Sequence, residues 1–395
     1  MTTSTAQIPA AVETPSRNLR RGRILQLDVL RGIAILMVLW FHPVIPPERA
    51  GLFWPVADVG HRIGWSGVDL FFVLSGFLIG GLLFKEIATY GKLNVLRFWI
   101  RRGLKIWPGY YALLFLVFTE SMLHHHGLHE SVIALVPNLL HLQNYFRPVR
   151  PQTWSLAVEE HFYIALPALL LLLPLRKREG RTSIPALAPI VVCVAIVVML
   201  LRSYMEVYHP GYRADRTHLN IDGMLFGVFL AYLKQFENER FLRLTTLPFL
   251  PGIAALLLAT NYFNIFFPVW AVGLTHSTLY LGYGLMLIYI VHTPLHQGLM
   301  GKALASPPAR LLAFIGFYSY AIYLWYWEIF AAMYYQFEHH LSHVPESLLW
   351  PAAMVAYFGL SVAAGVLMAG IIELPVLALR NRWFPARAVI TEKES

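Results

Sequence analysis

Residues 350–372 read WPAAMVAYFGLSVAAGVLMAGII, a run without one charged side chain. A helix needs about 20 predominantly apolar residues to cross the hydrocarbon core of a bilayer, and this run supplies them. IPALAPIVVCVAIVVMLL at 184–201 is a second such stretch. The 395-residue chain is 57% hydrophobic and 13% charged, with a mean hydropathy of +0.56. A soluble domain of this length cannot hide that much apolar surface. Apolar periodicity predicts helices near 26–46, 66–85, 107–123, 156–174, 184–202, 219–234, 246–260, 270–291, 311–334 and 347–372. The expected fold is all-α: a polytopic membrane protein with about ten transmembrane helices in a single membrane domain, 24–376. Residues 1–23, rich in Thr, Ser and Pro, are expected to form a disordered cytoplasmic tail, and 377–395 a short charged cytoplasmic tail.

A formal charge of +9 raises the question of nucleic acid, and its placement answers it. With the N-terminus in the cytoplasm, 23 of the 31 Lys and Arg residues fall in inside segments, seven fall outside, and Arg31 lies in the first helix. Basic residues collect on the cytoplasmic side of membrane proteins, so both termini are expected there and no nucleic-acid partner is. With no small-residue cleavage site after it, the first helix reads as an uncleaved signal anchor. Cys193, the single cysteine, lies in an apolar helix, where a packing or lipid-facing role is expected.

Charged groups in the hydrocarbon region cost about 2.5–3.5 kcal/mol on insertion scales, so each needs a partner or a purpose. In LRGIAILMVLWFH (30–42), Arg31 and His42 are separated by about 20° beyond three full turns and by about 16 Å along the axis. They share a face, with Asp28 one turn before Arg31. The plainer alternative is an Arg31 that snorkels to lipid phosphates and a His42 that caps the helix. WSGVDLFFVLSGFLIGG (65–81) carries Asp69 near its outer end, which must be paired or protonated, and Ser75 and Gly76 in its middle, which suit close helix packing.

RFWIRRGLKIWPGYY (97–111) reads as a cytosolic loop leading into a helix. Arg97, Arg101, Arg102 and Lys105, interleaved with Trp99 and Trp107, suit a polyanion: guanidinium forks grip phosphates and an indole can stack on a base. QTWSLAVEEHFY (152–163) sets Trp154, Glu159, Glu160 and His161 at a helix entering from outside, and RTHLNIDGMLFG (216–227) adds His218 and Asp222 on one face. One carboxylate at a helix N-terminus is explained by the dipole, but two beside a histidine exceed that need. HHHGLH (124–129) and EHHLSH (338–343) lack zinc-enzyme spacing, so no metal is expected. YSYAIYLWYWEIF (318–330) reads as aromatic packing, with the role of Glu328 open.

Seven pieces in order resemble the acyltransferase 3 family of integral membrane O-acyltransferases, over about 25–376: LDVLRGIAILMVLWFH, GVDLFFVLSGFLI, FWIRRGLKIWPGYY, TWSLAVEEHFY, THLNIDGMLFGVFLAYL, SYAIYLWYW and IELP. The resemblance implies that Arg31 and His42 serve acyl transfer. It also shows departures. The family's cytosolic R-x-x-R is here Arg102 and Lys105, and Tyr326 stands where the family often has a histidine. The frequent extracytoplasmic hydrolase-like domain has no counterpart in this sequence, so transfer is expected to finish within the membrane domain.

O-acylation requires a base for the acceptor hydroxyl and stabilisation for the oxyanion. The expected donor is cytosolic acyl-CoA, in first place acetyl-CoA, its phosphates held by Arg101, Arg102 and Lys105 and its pantetheine arm guided by Arg31. His42 is the expected base, its tautomer fixed by Asp69 or Glu159. The expected acceptor is a carbohydrate or glycolipid hydroxyl passing Trp154, Glu160, His161, His218 and Asp222 on the outer side, and Ser75 is a candidate nucleophile. The expected location is the bacterial inner membrane, in contact with membrane lipid. The rival expectation is a transporter of a glycan or lipid precursor, its buried charges lining a permeation path.

Overall fold

The structure, a computed structural model, describes residues 24–124, 127–178, 181–209, 211–212, 214–263, 268, 271–340 and 345–385. The expected N-terminal tail, residues 386–395 and parts of both histidine clusters lie outside these. In chain order the helices are α1 (Leu25–Phe41), α2 (Trp54–Ile63), α3 (Gly67–Tyr90), α4 (Val95–Leu123), α5 (Leu128–Leu139), α6 (Trp154–Leu172), α7 (Leu187–Tyr208), α8 (Ile221–Phe236), α9 (Asn238–Thr245), α10 (Leu250–Tyr262), α11 (Val272–His292), α12 (Gly298–Ala305), α13 (Pro307–Phe317), α14 (Ser319–His340), α15 (Glu346–Met368) and α16 (Leu374–Trp383). A two-stranded hairpin pairs Arg176–Arg178 with Arg181–Ser183.

Each of the ten expected segments overlaps helix, the one at 311–334 covering parts of two, α13 and α14, but length and apolarity qualify fewer as spans. Among the described residues six stretches are long and apolar enough to cross a membrane, seven if α9 and α10, bent 79° to one another, count as one. The six contain α3, α4, α6, α7, α11 and α15. Of the others, α1 has 17 residues, α8 has 16 and α10 has 13, while α14 is long enough but carries Tyr, Trp and Glu328 through its central turns. The expected count of ten is thus reduced to six or seven by this measure.

Two close crossings set the interior. α3 packs on α8 where Gly76 lies against the Met224 carbonyl and Gly227 against that of Val73, so a Cβ at either glycine would collide with backbone. α1 packs on α13 in the same way, Gly32 against Leu312 and Gly316 against the Asp28 carbonyl. Small residues let membrane helices approach this closely, and dispersion contacts follow. One buried apolar cluster gathers α3, α6, α8 and α11, and a second gathers the C-terminal half of α1 with α4, α14 and α15.

Two elements differ from expectation in ways that matter for the site. α4 begins at Val95 rather than near 107, with Pro108 inside it, so the basic stretch 97–105 is helical and its side chains point in fixed, different directions. The last helix does not stop at 372: a π-turn over Ala369–Glu373 leads into α16, which runs to Trp383. Pro375 has no N–H to return to the preceding turn, and the widened turn just before it aims Glu373 inward.

Candidate active site

Between the two apolar clusters lies a cavity of about 480 Å³. Along α3 its lining runs from Val68 to Leu82, a rise of about 21 Å for an ideal helix. One end is formed by Ile24, Asp28, Leu82, Leu377 and Arg380; the other closes under Val68, Phe71, Ser155 and Tyr323. Arg31, Arg102, Lys105 and Arg380 line it against the carboxylates of Asp28, Glu159 and Glu373, an excess of one positive charge.

Arg31 donates from Nη1 to Asp28 Oδ1 at 3.0 Å, the one-turn pairing expected from sequence. Arg102 donates from Nη2 to the Tyr163 hydroxyl at 2.7 Å, with its guanidinium 4.3 Å from the centroid of that ring. The Tyr163 hydroxyl in turn donates to Glu159, and Ser75 Oγ lies 2.5 Å from it. Glu373 Oε1 has no hydrogen-bond partner among the described residues. A cleft with fixed cations, carboxylates and a hydroxyl in one low-dielectric space can both hold an anion and move a proton.

His42 is not part of this lining. Its Nδ1 lies 3.1 Å from the Val38 carbonyl. A carbonyl only accepts, so in the neutral ring Nδ1 carries the hydrogen and Nε2 keeps its lone pair. The expected orientation by Asp69 or Glu159 is therefore replaced by the backbone of its own helix. The imidazole is ringed by Phe41, Tyr326, Trp327 and Phe330, at centroid distances of 4.7, 5.6, 5.5 and 6.5 Å. Tyr326 contacts Tyr323, and Tyr323 contacts Phe71. An aromatic wall one or two rings thick thus stands between the Phe71–Tyr323 end of the cavity and His42.

The remaining expected site residues disperse. Three consecutive residues at about 100° per residue face three ways: Glu159 into the cavity, Glu160 to the indole N–H of Trp107 at 3.1 Å, and His161 through Nδ1 to Thr217 Oγ1 at 2.6 Å. His218 meets the Tyr145 hydroxyl at 3.1 Å, so His161 and His218 flank the Tyr145 ring, beside His141. His141 holds φ +55°, and burial, followed by the nearby His161, pushes its pKa down to about 4.

Asp222 is neither at this mouth nor paired with His218. It is buried in an ion pair with Arg202, and Asp69 lies 3.6 Å from His276 in the same cluster. Trp154 packs on Phe72 at 5.9 Å. Of the expected phosphate ligands, Arg102 and Lys105 reach the cavity, while Arg101 turns to the Phe384 carbonyl and Arg97 to that of Pro385. Trp99 donates to the Tyr163 carbonyl at 3.0 Å, so both indoles tie α4 to α6 rather than standing ready for a base. Glu328, left open from sequence, pairs with Arg150 at 2.7 Å. Tyr163, Glu373 and Arg380 were missed, although Tyr163 lies one turn from Glu159 in a stretch already singled out.

A profile of the acyltransferase domain matches residues 24–370. The chain belongs to the acyltransferase 3 family. Among relatives of this family, the peptidoglycan O-acetyltransferase OatA of Listeria monocytogenes is 27% identical over 336 residues, 78% of this chain and 50% of its own length. A Staphylococcus aureus strain COL protein, provisionally named an O-acetyltransferase, is 28% identical over 329 residues, covering 77% of this chain and 50% of its own. The chain thus spans about half the length of the curated relatives it matches. No solved structure matches it. The two departures from the acyltransferase 3 pattern have distinct surroundings: Lys105 lines the cavity and Tyr326 lies against His42. Among the described residues no group of three or more His, Cys, Asp or Glu side chains is placed to hold a metal ion.

Proposed function

We propose that the chain is an integral membrane O-acetyltransferase that takes an acetyl group from cytosolic acetyl-CoA and delivers it to a hydroxyl of a cell-wall glycan on the other face. The observation that carries this reading is the cavity: cationic in its inner half, about 21 Å long by helix rise, and ending one aromatic wall short of a histidine whose Nδ1–H is bound to backbone, which leaves Nε2 unprotonated in the neutral ring. Arg102, Lys105 and Arg380 bind the phosphates of the donor, and Arg31, held by Asp28, lies along the path of the pantetheine arm. His42 Nε2 takes the proton of the acceptor hydroxyl. Retreat of Phe71 and Tyr323 joins the two compartments.

The glycan acceptor follows from the peptidoglycan activity that names the Listeria relative, and from the exposed Tyr145 and its flanking histidines at the outer side. In this reading α1, α8, α10 and α14 also cross the bilayer, giving ten spans with both termini cytoplasmic in the inner membrane. The short helices α1 and α8 are packed mainly against protein, which relaxes the length a lipid-facing span needs. Membership of an acyltransferase family favours group transfer over the transporter alternative.

The test is purified protein in liposomes with acetyl-CoA and muropeptide or glycan fragments, read by mass spectrometry for O-acetyl esters. Acetyl-CoA-dependent ester formation that is lost in His42→Ala supports the reading, and ester formation unchanged in that variant refutes the role of His42.

A further inference from the structure

The donor cavity contains a hydroxyl already wired for proton removal. Ser75 lines the cavity and is otherwise buried in the α3–α6 contact, with Oγ 2.5 Å from the Tyr163 hydroxyl. Tyr163 gives its own proton to Glu159 and receives Arg102 Nη2 at 2.7 Å. With the tyrosine proton committed to Glu159, the hydrogen between the two hydroxyls belongs to Ser75, whose lone pairs are left for the cavity. Arg102, stacked on the ring and bonded to its oxygen, is placed to stabilise negative charge there as a proton passes. His42 lies on the far side of the Phe71–Tyr323–Tyr326 wall, so a donor in the cavity meets Ser75 before anything His42 activates.

From this geometry we propose that Ser75 is a nucleophile that accepts the acetyl group before it reaches the acceptor, with Tyr163 and Glu159 as its proton relay. This rests on the proposed use of acetyl-CoA. Ser75 Oγ attacks the thioester carbonyl carbon, forming the ester bond as the C–S bond breaks. The serine proton moves to the Tyr163 oxygen as the tyrosine proton moves to Glu159. The same relay in reverse returns one proton to the departing thiolate, so CoA leaves as the thiol and the relay is restored. In the second half, the acceptor hydroxyl, deprotonated by His42, attacks the acetyl-Ser75 carbonyl, and Ser75 leaves with a proton from the relay, which His42 replenishes through solvent. Covalent relays of this kind split one hard step into two easier ones and give ping-pong kinetics.

The experiment uses the full chain in liposomes with [1-¹⁴C]acetyl-CoA and no acceptor, followed by peptide mass spectrometry, and in parallel the exchange of labelled CoA into acetyl-CoA. Wild type and His42→Ala are expected to label on Ser75 and to catalyse exchange. Ser75→Ala is expected to lose both label and exchange, and Tyr163→Phe, which keeps the stacked ring, to slow exchange at least tenfold. Ser75→Cys is expected to carry the label as a hydroxylamine-labile thioester. Glycan acetylation that proceeds in Ser75→Ala at the wild-type rate, or wild-type turnover with neither label nor exchange, overturns the serine proposal and leaves the acetyl-CoA reading standing. Absence of any acetyl-CoA binding or consumption by the wild type overturns both.

Discussion

At the scale of single residues, the groups proposed to bind charge, Arg102, Lys105 and Arg380, are distinct from the one proposed to take the acceptor's proton, His42. His42 is held through Nδ1 by its own helix, so Nε2 is the unprotonated nitrogen of the neutral ring, and general-base catalysis contributes about 10²- to 10⁴-fold. His42→Ala is therefore expected to lower glycan acetylation by about that factor while acetyl-CoA binding is unchanged, measured by steady-state assay and by calorimetry. His141 offers a test that does not touch chemistry. Its pKa is pushed down to about 4 from the usual 6.5, so between those values the unfolded chain holds a proton that the folded chain refuses, and stability falls as pH falls through that window. The full penalty is on the order of 3 kcal/mol. His141→Asn, which tolerates the positive φ, is expected to flatten the dependence of the melting temperature between pH 6.5 and 4. An unchanged slope would place the acid-sensitive group elsewhere.

At the scale of elements, the α3–α8 crossing fixes where Ser75 sits, because Gly76 follows it directly. Gly76→Leu forces a side chain into the Met224 backbone, an overpacking cost of about 1–3 kcal/mol or more, whereas Gly81, with open space around its Cβ position, is expected to accept Leu without loss. Melting in detergent distinguishes them. The longest helices were legible because apolar runs of about 20 residues have few other readings, whereas the single helix expected at 311–334 is divided into α13 and α14. The direction of each basic residue was not, because the stretch ahead of 107 was read as a loop when it is the start of α4, with Pro108 inside the helix; neighbouring helices re-satisfy the freed backbone groups that would make such a proline costly in water. Arg101 and Arg102 adjoin in sequence yet diverge by about 100°, one to the Phe384 carbonyl and one to the cavity. Asp222 and Asp69 read as outer-mouth residues because their partners, Arg202 and His276, are distant in sequence and sit in apolar helices without a motif around them.

At the scale of the whole molecule, the proposed arrangement is a two-sided device: a cavity lined by Arg31, Arg102, Lys105 and Arg380 that would admit the donor from one face, a histidine among aromatic rings that would serve the other, and an aromatic wall between. Arg102 and Lys105 line the cavity from the same helix, so Lys105→Ala is expected to raise the KM for acetyl-CoA several-fold with little change in kcat, as loss of uniform binding does, whereas Arg31→Ala, on the path of the acyl arm, is expected to lower both kcat and kcat/KM. Rate measurements over a range of donor concentration separate the two.

The most direct measurement places donor and acceptor on opposite sides of a sealed bilayer. Vesicles containing the oriented protein are loaded with labelled acetyl-CoA on the side of the N-terminus and offered glycan fragments outside. Labelled O-acetyl ester outside, dependent on His42, is the expected result. Ester that forms only when donor and acceptor share one compartment would contradict it.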